Sequence, residues 1–171
     1  MRFSKILVLS IFIFFAGVSQ EAVALSSSYK EALRHNLNII IDLHPKYVWG
    51  GSETEGKGLD CSGYLYLAAK RSGMPVKRIT SIMIESGLGG WSSKKISLDD
   101  VDEFDINFWT FKPARMHGHL GFYLVSRKSG LLEITHSSSS KGVIIQKVTP
   151  YLLRSTSSIR RLTLGDKNNE K

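Results

Sequence analysis

Cys61 is the single cysteine of the chain, and five histidines accompany it. A thiol attacks only as thiolate, and free cysteine ionises near about pH 8.5, so a catalytic cysteine needs its pKa lowered. Two sources of help are readable in the sequence. Asp60 suits a helix N-cap, and Tyr64, Leu65, Leu67 and Ala68 recur on one helical face, which puts Cys61 in the first turn of a predicted helix. Unpaired N–H groups and the helix dipole favour negative charge there, so an ionised sulfur is expected. The second source is an imidazole that takes the thiol proton and later returns it to a leaving amine. His119 opens one predicted strand and His136 closes another, so both can meet Cys61 across a helix–sheet interface, the second ring orienting the first. His35, within the first predicted helix, and His44, before Pro45, read as surface or packing residues.

Other uses of the same residues are open. A lone thiol is either an inert buried side chain or a group kept for its reactivity. His117, His119, His136 and Cys61 could also form a three-histidine, one-cysteine zinc set. The paired Cys-x-x-Cys and His-Glu-x-x-His spacings are missing, however, so no metal and no cofactor is expected.

The elements that must position these groups follow from periodicity. Ser28 and Glu31 resemble a capping box, and the apolar spacing through Ile41 predicts a helix over 29–42, stopped by Pro45. A glycine-rich loop runs to Gly58. The Cys61 helix ends at Gly73 and Pro75, with Lys70 and Arg71 in its last turn, and a short helix is predicted over Thr80 to Glu85. After an acidic loop at Asp99 to Glu103, strands are expected at 106–111, 119–125, 131–136, 143–148 and 159–164, with Gly130 and Gly142 at hairpin turns. Helices first and an antiparallel sheet of about five strands afterwards make an α+β domain. The polar tail from Gly165 reads as loose.

The first 24 residues have a separate character. Arg2 and Lys5 precede apolar runs at Ile6–Leu9 and Ile11–Val18, followed by Ala22-Val23-Ala24, the order of a cleaved secretory signal peptide. The run falls short of the roughly 20 residues that span a bilayer. Cleavage after Ala24 is expected to leave one domain, 25–171, exported to the periplasm or outside the cell, with no stable membrane insertion. Losing Arg2, Lys5 and Glu21 takes the formal charge from +8 to +7. A basic surface suits acidic wall polymers and head groups as well as nucleic acid, but no dense Lys/Arg block interleaved with aromatics favours the last, so no nucleic-acid partner is expected. A solitary cysteine is notable in an exported chain, where cysteines usually pair as disulfides.

Four segments in order then resemble the NlpC-type cell-wall peptidases, papain-like cysteine peptidases of bacteria: Tyr47-Val48-Trp49-Gly50-Gly51, Leu59-Asp60-Cys61-Ser62-Gly63, His119-Leu120-Gly121-Phe122-Tyr123-Leu124, and His136 with Ser138 to Val143. The resemblance implies a papain-like fold and a catalytic set in which Cys61 is the nucleophile, His119 the base and His136 its orienting partner. It further implies that the Tyr47 hydroxyl joins the Cys61 N–H in holding an oxyanion. The implied partner is the peptidoglycan stem peptide, cut at the D-glutamyl–diaminopimelate link or at a cross-link. Where that family has Gly-Asp-x-Val, this chain reads Phe104-Asp105-Ile106-Asn107, the hairpin after His119 is longer, and Tyr64 replaces a leucine. The other readings are a wall-binding domain without turnover, and an amidase or acyltransferase, such as a toxin, on the same scaffold.

Overall fold

The computed structural model describes residues 23–54, 57–110, 118–125 and 132–164. Most of the expected leader, His117, Phe111, the hairpin with Gly130 and the tail from Gly165 lie outside the described residues. Helix α1 spans Ser27–Asp42, α2 Cys61–Arg71, α3 Ser81–Glu85 and α4 Pro150–Ser155. The strands are β1 (Val23–Ala24), β2 (Ser93–Ile96), β3 (Ile106–Trp109), β4 (His119–Val125), β5 (Leu132–Ser138), β6 (Gly142–Lys147) and β7 (Thr156–Leu164). All pairings are antiparallel in the order β1-β7-β3-β4-β5-β6, with β2 also on β7. The fold is thus α+β and papain-like, as expected, but with seven strands among the described residues rather than about five.

The caps explain where the helices begin. Asp60 caps α2 by accepting from the Gly63 N–H, as the sequence predicts, and Thr80 caps α3 through the Met83 N–H. Helix α1 starts earlier than expected, because Ser26 rather than Ser28 accepts from the Tyr29 N–H. Helix α4, absent from the sequence reading, has Thr149 as cap and Pro150 in its first turn, a pairing that fits a helix start. Two short strands were also not expected: β1 is two residues long, and β2 carries two lysines where apolar alternation is the usual signal.

The sheet separates two apolar clusters. On the helix side, Leu33, Leu37 and Ile40 of α1 and Leu65, Ala68 and Ala69 of α2 pack on Ile106, Phe108, Leu120, Phe122 and Leu162. Trp109, Tyr123, Ile134 and Ile159 form the other cluster, covered by Val148 and Leu152. Alternation along β4 therefore points Leu120 and Phe122 at the helices and Tyr123 at the other cluster, while His119, the first residue of the strand, lies at its end beside Trp109.

Two hydrogen bonds stitch α2 to β5 on either side of His136. The buried Tyr64 hydroxyl donates to Thr135 Oγ1 (2.9 Å), which donates onward to the Ile144 carbonyl (3.0 Å). Ser137 Oγ donates to the Leu59 carbonyl at 2.7 Å, holding the residue before the α2 cap. The tyrosine that departs from the family pattern is therefore an anchor, and burial pushes its phenol pKa up. Phe104, at another departure, has φ +73, a left-handed conformation that glycine adopts without cost. Its buried ring under the Arg34 guanidinium (5.3 Å) offsets the strain.

Two stability outcomes follow. Tyr64→Phe removes one buried hydroxyl while Thr135 keeps its bond to Ile144, so chemical denaturation is expected to register a loss of about 1 kcal/mol. At residue 104, deleting a buried phenyl costs about 3–5 kcal/mol, but glycine recovers roughly 1–2 kcal/mol of left-handed strain that alanine retains. Phe104→Gly should therefore be at least as stable as Phe104→Ala, the reverse of the usual order; an alanine variant more stable by 1 kcal/mol would show that the backbone is unstrained.

Candidate active site

Asp60 organises the head of α2. Its Oδ1 accepts from the Gly63 N–H (2.6 Å) and the Ser62 hydroxyl (3.0 Å), and its Oδ2 from the Gly50 N–H (2.9 Å) and Arg78 Nη2 (2.7 Å). Arg78 Nη1 also donates to Ser62 Oγ (2.8 Å) and to the Ile79 carbonyl (2.7 Å). One buried carboxylate thus ties together the Gly50 loop, the first turn of α2 and the strap leading to α3. The glycines of the two motifs meet here: a Cβ at Gly63 would lie 1.9 Å from the Gly51 carbonyl oxygen, so no other residue fits.

Cys61 sits in that first turn, 7 % exposed. The backbone N–H groups of Leu120, at the start of β4, and of Ser62 and Cys61 favour its thiolate and act to lower its pKa. Burial nevertheless dominates, aided by the Asp60 charge, and pushes the thiol up to about 11. This corrects the expectation of an ionised sulfur: the helix start does lower the pKa, but by less than desolvation raises it, so the resting group is a thiol.

His119 follows directly on Gly118, whose carbonyl accepts from Ser81 Oγ at 2.6 Å and so fixes the entry to β4 against α3. The His119 ring stacks on Trp109 (centroids 5.4 Å apart, planes at 27°), and its Nε2 lies 2.6 Å from His136 Nδ1. Trp109 also lies 5.6 Å from His136, so a single indole covers both rings of the pair. Burial, then the neighbouring His136, lower the His119 pKa to about 3, while Asp60 opposes the shift. His136 is lowered too, by burial, while the Gln146 side chain, acting as an acceptor, opposes the shift. Both rings are neutral near pH 7, the state in which one can accept a proton.

Gly121 makes the pair possible. A Cβ there would meet the Thr135 carbonyl oxygen at 2.7 Å and the His136 Cβ at 2.9 Å, so the glycine two residues after His119 is the opening through which His136 crosses β4. Tyr47 is half-buried and close enough to Cys61 and Asp60 that, after desolvation, their charges raise its pKa. Its segment is aligned on the motif before Cys61, since the Leu59 N–H donates to the Lys46 carbonyl (3.0 Å) and the Val48 N–H to the Leu59 carbonyl (3.3 Å). In front of the sulfur opens a cavity of about 360 Å³ lined by Trp49, Asp60, Arg78, Ser81, Ile82 and Gly118 among others.

The structure therefore pairs His119 with His136, sets Cys61 beside the backbone of Leu120, the residue after His119, and brings Tyr47 within electrostatic range of Cys61. Among the described residues no group of three or more His, Cys, Asp or Glu side chains could hold a metal, and His117 lies outside them. Arg78 and Trp109 were not singled out in the sequence. A basic residue 18 positions after Asp60 and an aromatic inside a predicted strand carry no spacing signal; only the fold brings them to the site.

The comparisons agree with this architecture. The NlpC/P60 family model matches residues 44–161, which hold all four segments. The chain is 31% identical over 80 residues to the gamma-D-glutamyl-L-lysine dipeptidyl-peptidase of Bacillus subtilis (strain 168), a stretch covering 46% of this chain and 24% of that protein. It superposes on an NLP/P60 family protein described as similar to lipoprotein, from Staphylococcus aureus subsp. aureus Mu50, with a TM-score of 0.62 at 15% identity over 85% of this chain and 45% of the other. An NlpC/P60 family protein from Bacillus cereus ATCC 10987 gives 0.59 at 19% identity over 83% and 42%. The chain thus spans about a quarter of the peptidase's length and under half of each solved structure. With the family model covering well over half of the sequence, the chain belongs to the NlpC/P60 family.

Proposed function

We propose that the protein is a cysteine peptidase that hydrolyses amide bonds in peptidoglycan stem peptides. The observation that carries this reading is the 2.6 Å contact of His119 Nε2 with His136 Nδ1 on the same short stretch of β4 whose Leu120 N–H favours the Cys61 thiolate. In this reading His119 Nε2 keeps its contact with His136 and Nδ1 acts as the base. As the Cys61 sulfur bonds to the substrate carbonyl carbon, its proton passes to His119 and the carbonyl π electrons move to oxygen. The Cys61 N–H and the Tyr47 hydroxyl are the groups suited to that oxyanion. Collapse breaks the C–N bond, the amine leaves with the proton from His119, and a thioester remains. Water, deprotonated by His119, then attacks the thioester, releasing a carboxylic acid product and restoring the thiol.

Because thiol and imidazole both rest neutral, proton transfer accompanies attack rather than preceding it. Members of the family are generally cell-wall peptidases, and the name of the B. subtilis relative, acting at a gamma-D-glutamyl link to a diamino acid, supports the D-glutamyl–diaminopimelate or D-glutamyl–lysine bond as substrate class. We further propose that residues 1–24 direct export and are removed, leaving 25–171 to act in the periplasm or outside the cell. Among the described residues no helix is long and apolar enough to cross a membrane. Cleavage after Ala24 would remove β1, while β7 remains paired with both β2 and β3.

The burial of the Cys61 thiol favours a second reading, wall binding without turnover. Digestion of purified wall separates the two: the peptidase releases new amines and muropeptides, and Cys61→Ala abolishes release by a factor of about 10³ or more. His119→Ala is expected to lose about 10²–10⁴-fold. Release equal in wild type and Cys61→Ala would end the peptidase reading. The resting state has its own check in alkylation of the ligand-free protein by iodoacetamide across pH. A thiol held up by burial titrates with a midpoint above the ordinary value of about 8.5, whereas a midpoint below 7 would reveal a preformed thiolate–imidazolium pair.

A further inference from the structure

His136 is 8 % exposed, and its two ring nitrogens have different surroundings. Nδ1 faces His119, whereas Nε2 is buried with no hydrogen bond of ordinary geometry among the described residues. A buried polar nitrogen left in that state costs roughly 1–3 kcal/mol, so its nearest polar neighbour matters. That neighbour is on the adjacent strand. In the β5–β6 register His136 opposes Ile144 and Ile134 opposes Gln146, which places Gln146 diagonally beside His136 on the same face. Its side chain is half-buried and acts on the ring as a hydrogen-bond acceptor, favouring the protonated form.

We propose that Gln146 is a positioning residue that fixes the tautomer of both histidines. The inference rests on His119 being the base for Cys61. For His119 Nδ1 to accept a thiol proton it must carry a lone pair, so the ring's own hydrogen is on Nε2 and is donated to His136. His136 Nδ1 must then be the acceptor, which puts the His136 hydrogen on Nε2. That N–H needs an acceptor, and the Gln146 amide oxygen supplies it after a small rotation of the amide. With the acceptor missing, His136 can reverse, carry its hydrogen on Nδ1 and donate to His119, which leaves the hydrogen of His119 on the nitrogen meant for the thiol. The other groups facing the pair are Trp109 from β3, which is uncharged, and Asp60 at the head of α2, whose charge acts on His119 and is paired with Arg78.

Gln146→Met and Gln146→Glu test this. The full chain labelled with ¹⁵N-histidine is expected to give the Nε2–H tautomer at His136 in the wild type at neutral pH, and a mixture in Gln146→Met. Loss of an orienting partner of this kind typically costs about 10–100-fold, expected here in kcat with KM unchanged. Gln146→Glu retains an acceptor but raises the proton affinity of His136. The acid limb of its kcat/KM profile should move up by at least about 1 pH unit, with near wild-type turnover on the alkaline side, where His136 is again neutral. A merely structural role would lower activity at every pH without moving the limb. Wild-type His136 protonated on Nδ1, or unchanged tautomers and activity in Gln146→Met, would overturn the proposal. The tautomer spectra need no turnover, so the expected spectra in a protein that fails to cut wall would sink the peptidase reading and leave this one standing.

Discussion

The site depends on one buried carboxylate. Asp60 holds three backbone segments through four hydrogen bonds, and its charge is matched by Arg78 alone among its contacts. A carboxylate so placed is costly to desolvate, and removing its partner leaves an uncompensated charge in the interior, so the pair is better understood as specifying geometry than as adding stability. It determines where the first turn of α2 points and therefore where the sulfur lies. Its field raises the proton affinity of both neighbouring groups, holding the proton on Cys61 and favouring protonation of His119. The same charge that keeps the resting thiol quiet would stabilise the imidazolium once the proton has moved.

A second constraint is steric. Two motif glycines have contacts that exclude any side chain: Gly63 against the Gly51 carbonyl and Gly121 against β5. They explain why the resemblance is concentrated in short segments with a glycine two residues after Cys61 and two after His119. The chemistry needs backbone to approach backbone at those points, and the rest of the sheet can vary, as the 15% and 19% identities to superposable structures illustrate.

Much of this was legible in the sequence because the signals are local. The Asp60 cap, the start of α2 at Cys61 and the span of β4 were read from capping chemistry and alternation, and they coincide with the observed bounds. The four segments and their order pointed to the family that the comparison then matched over 44–161. What could not be read was non-local. The protonation state of Cys61 turns on burial by elements distant in sequence, which outweighs the lowering that a helix start provides. Trp109 and Gln146 acquire meaning only through strand register, and Arg78 only through the strap that returns it to Asp60. The α4 start was different: Thr149-Pro150 was a readable signal that went unused.

The stitching of α2 to β5 has a consequence for when the candidate site is assembled. Tyr64 and Thr135 are 71 residues apart, and Leu59 and Ser137 are 78 apart. Sulfur and imidazoles therefore share no neighbourhood until the last strands have closed on the first helices. In an extended chain the cysteine has ordinary accessibility and the histidines are scattered, so the candidate site exists only once tertiary closure has brought those segments together.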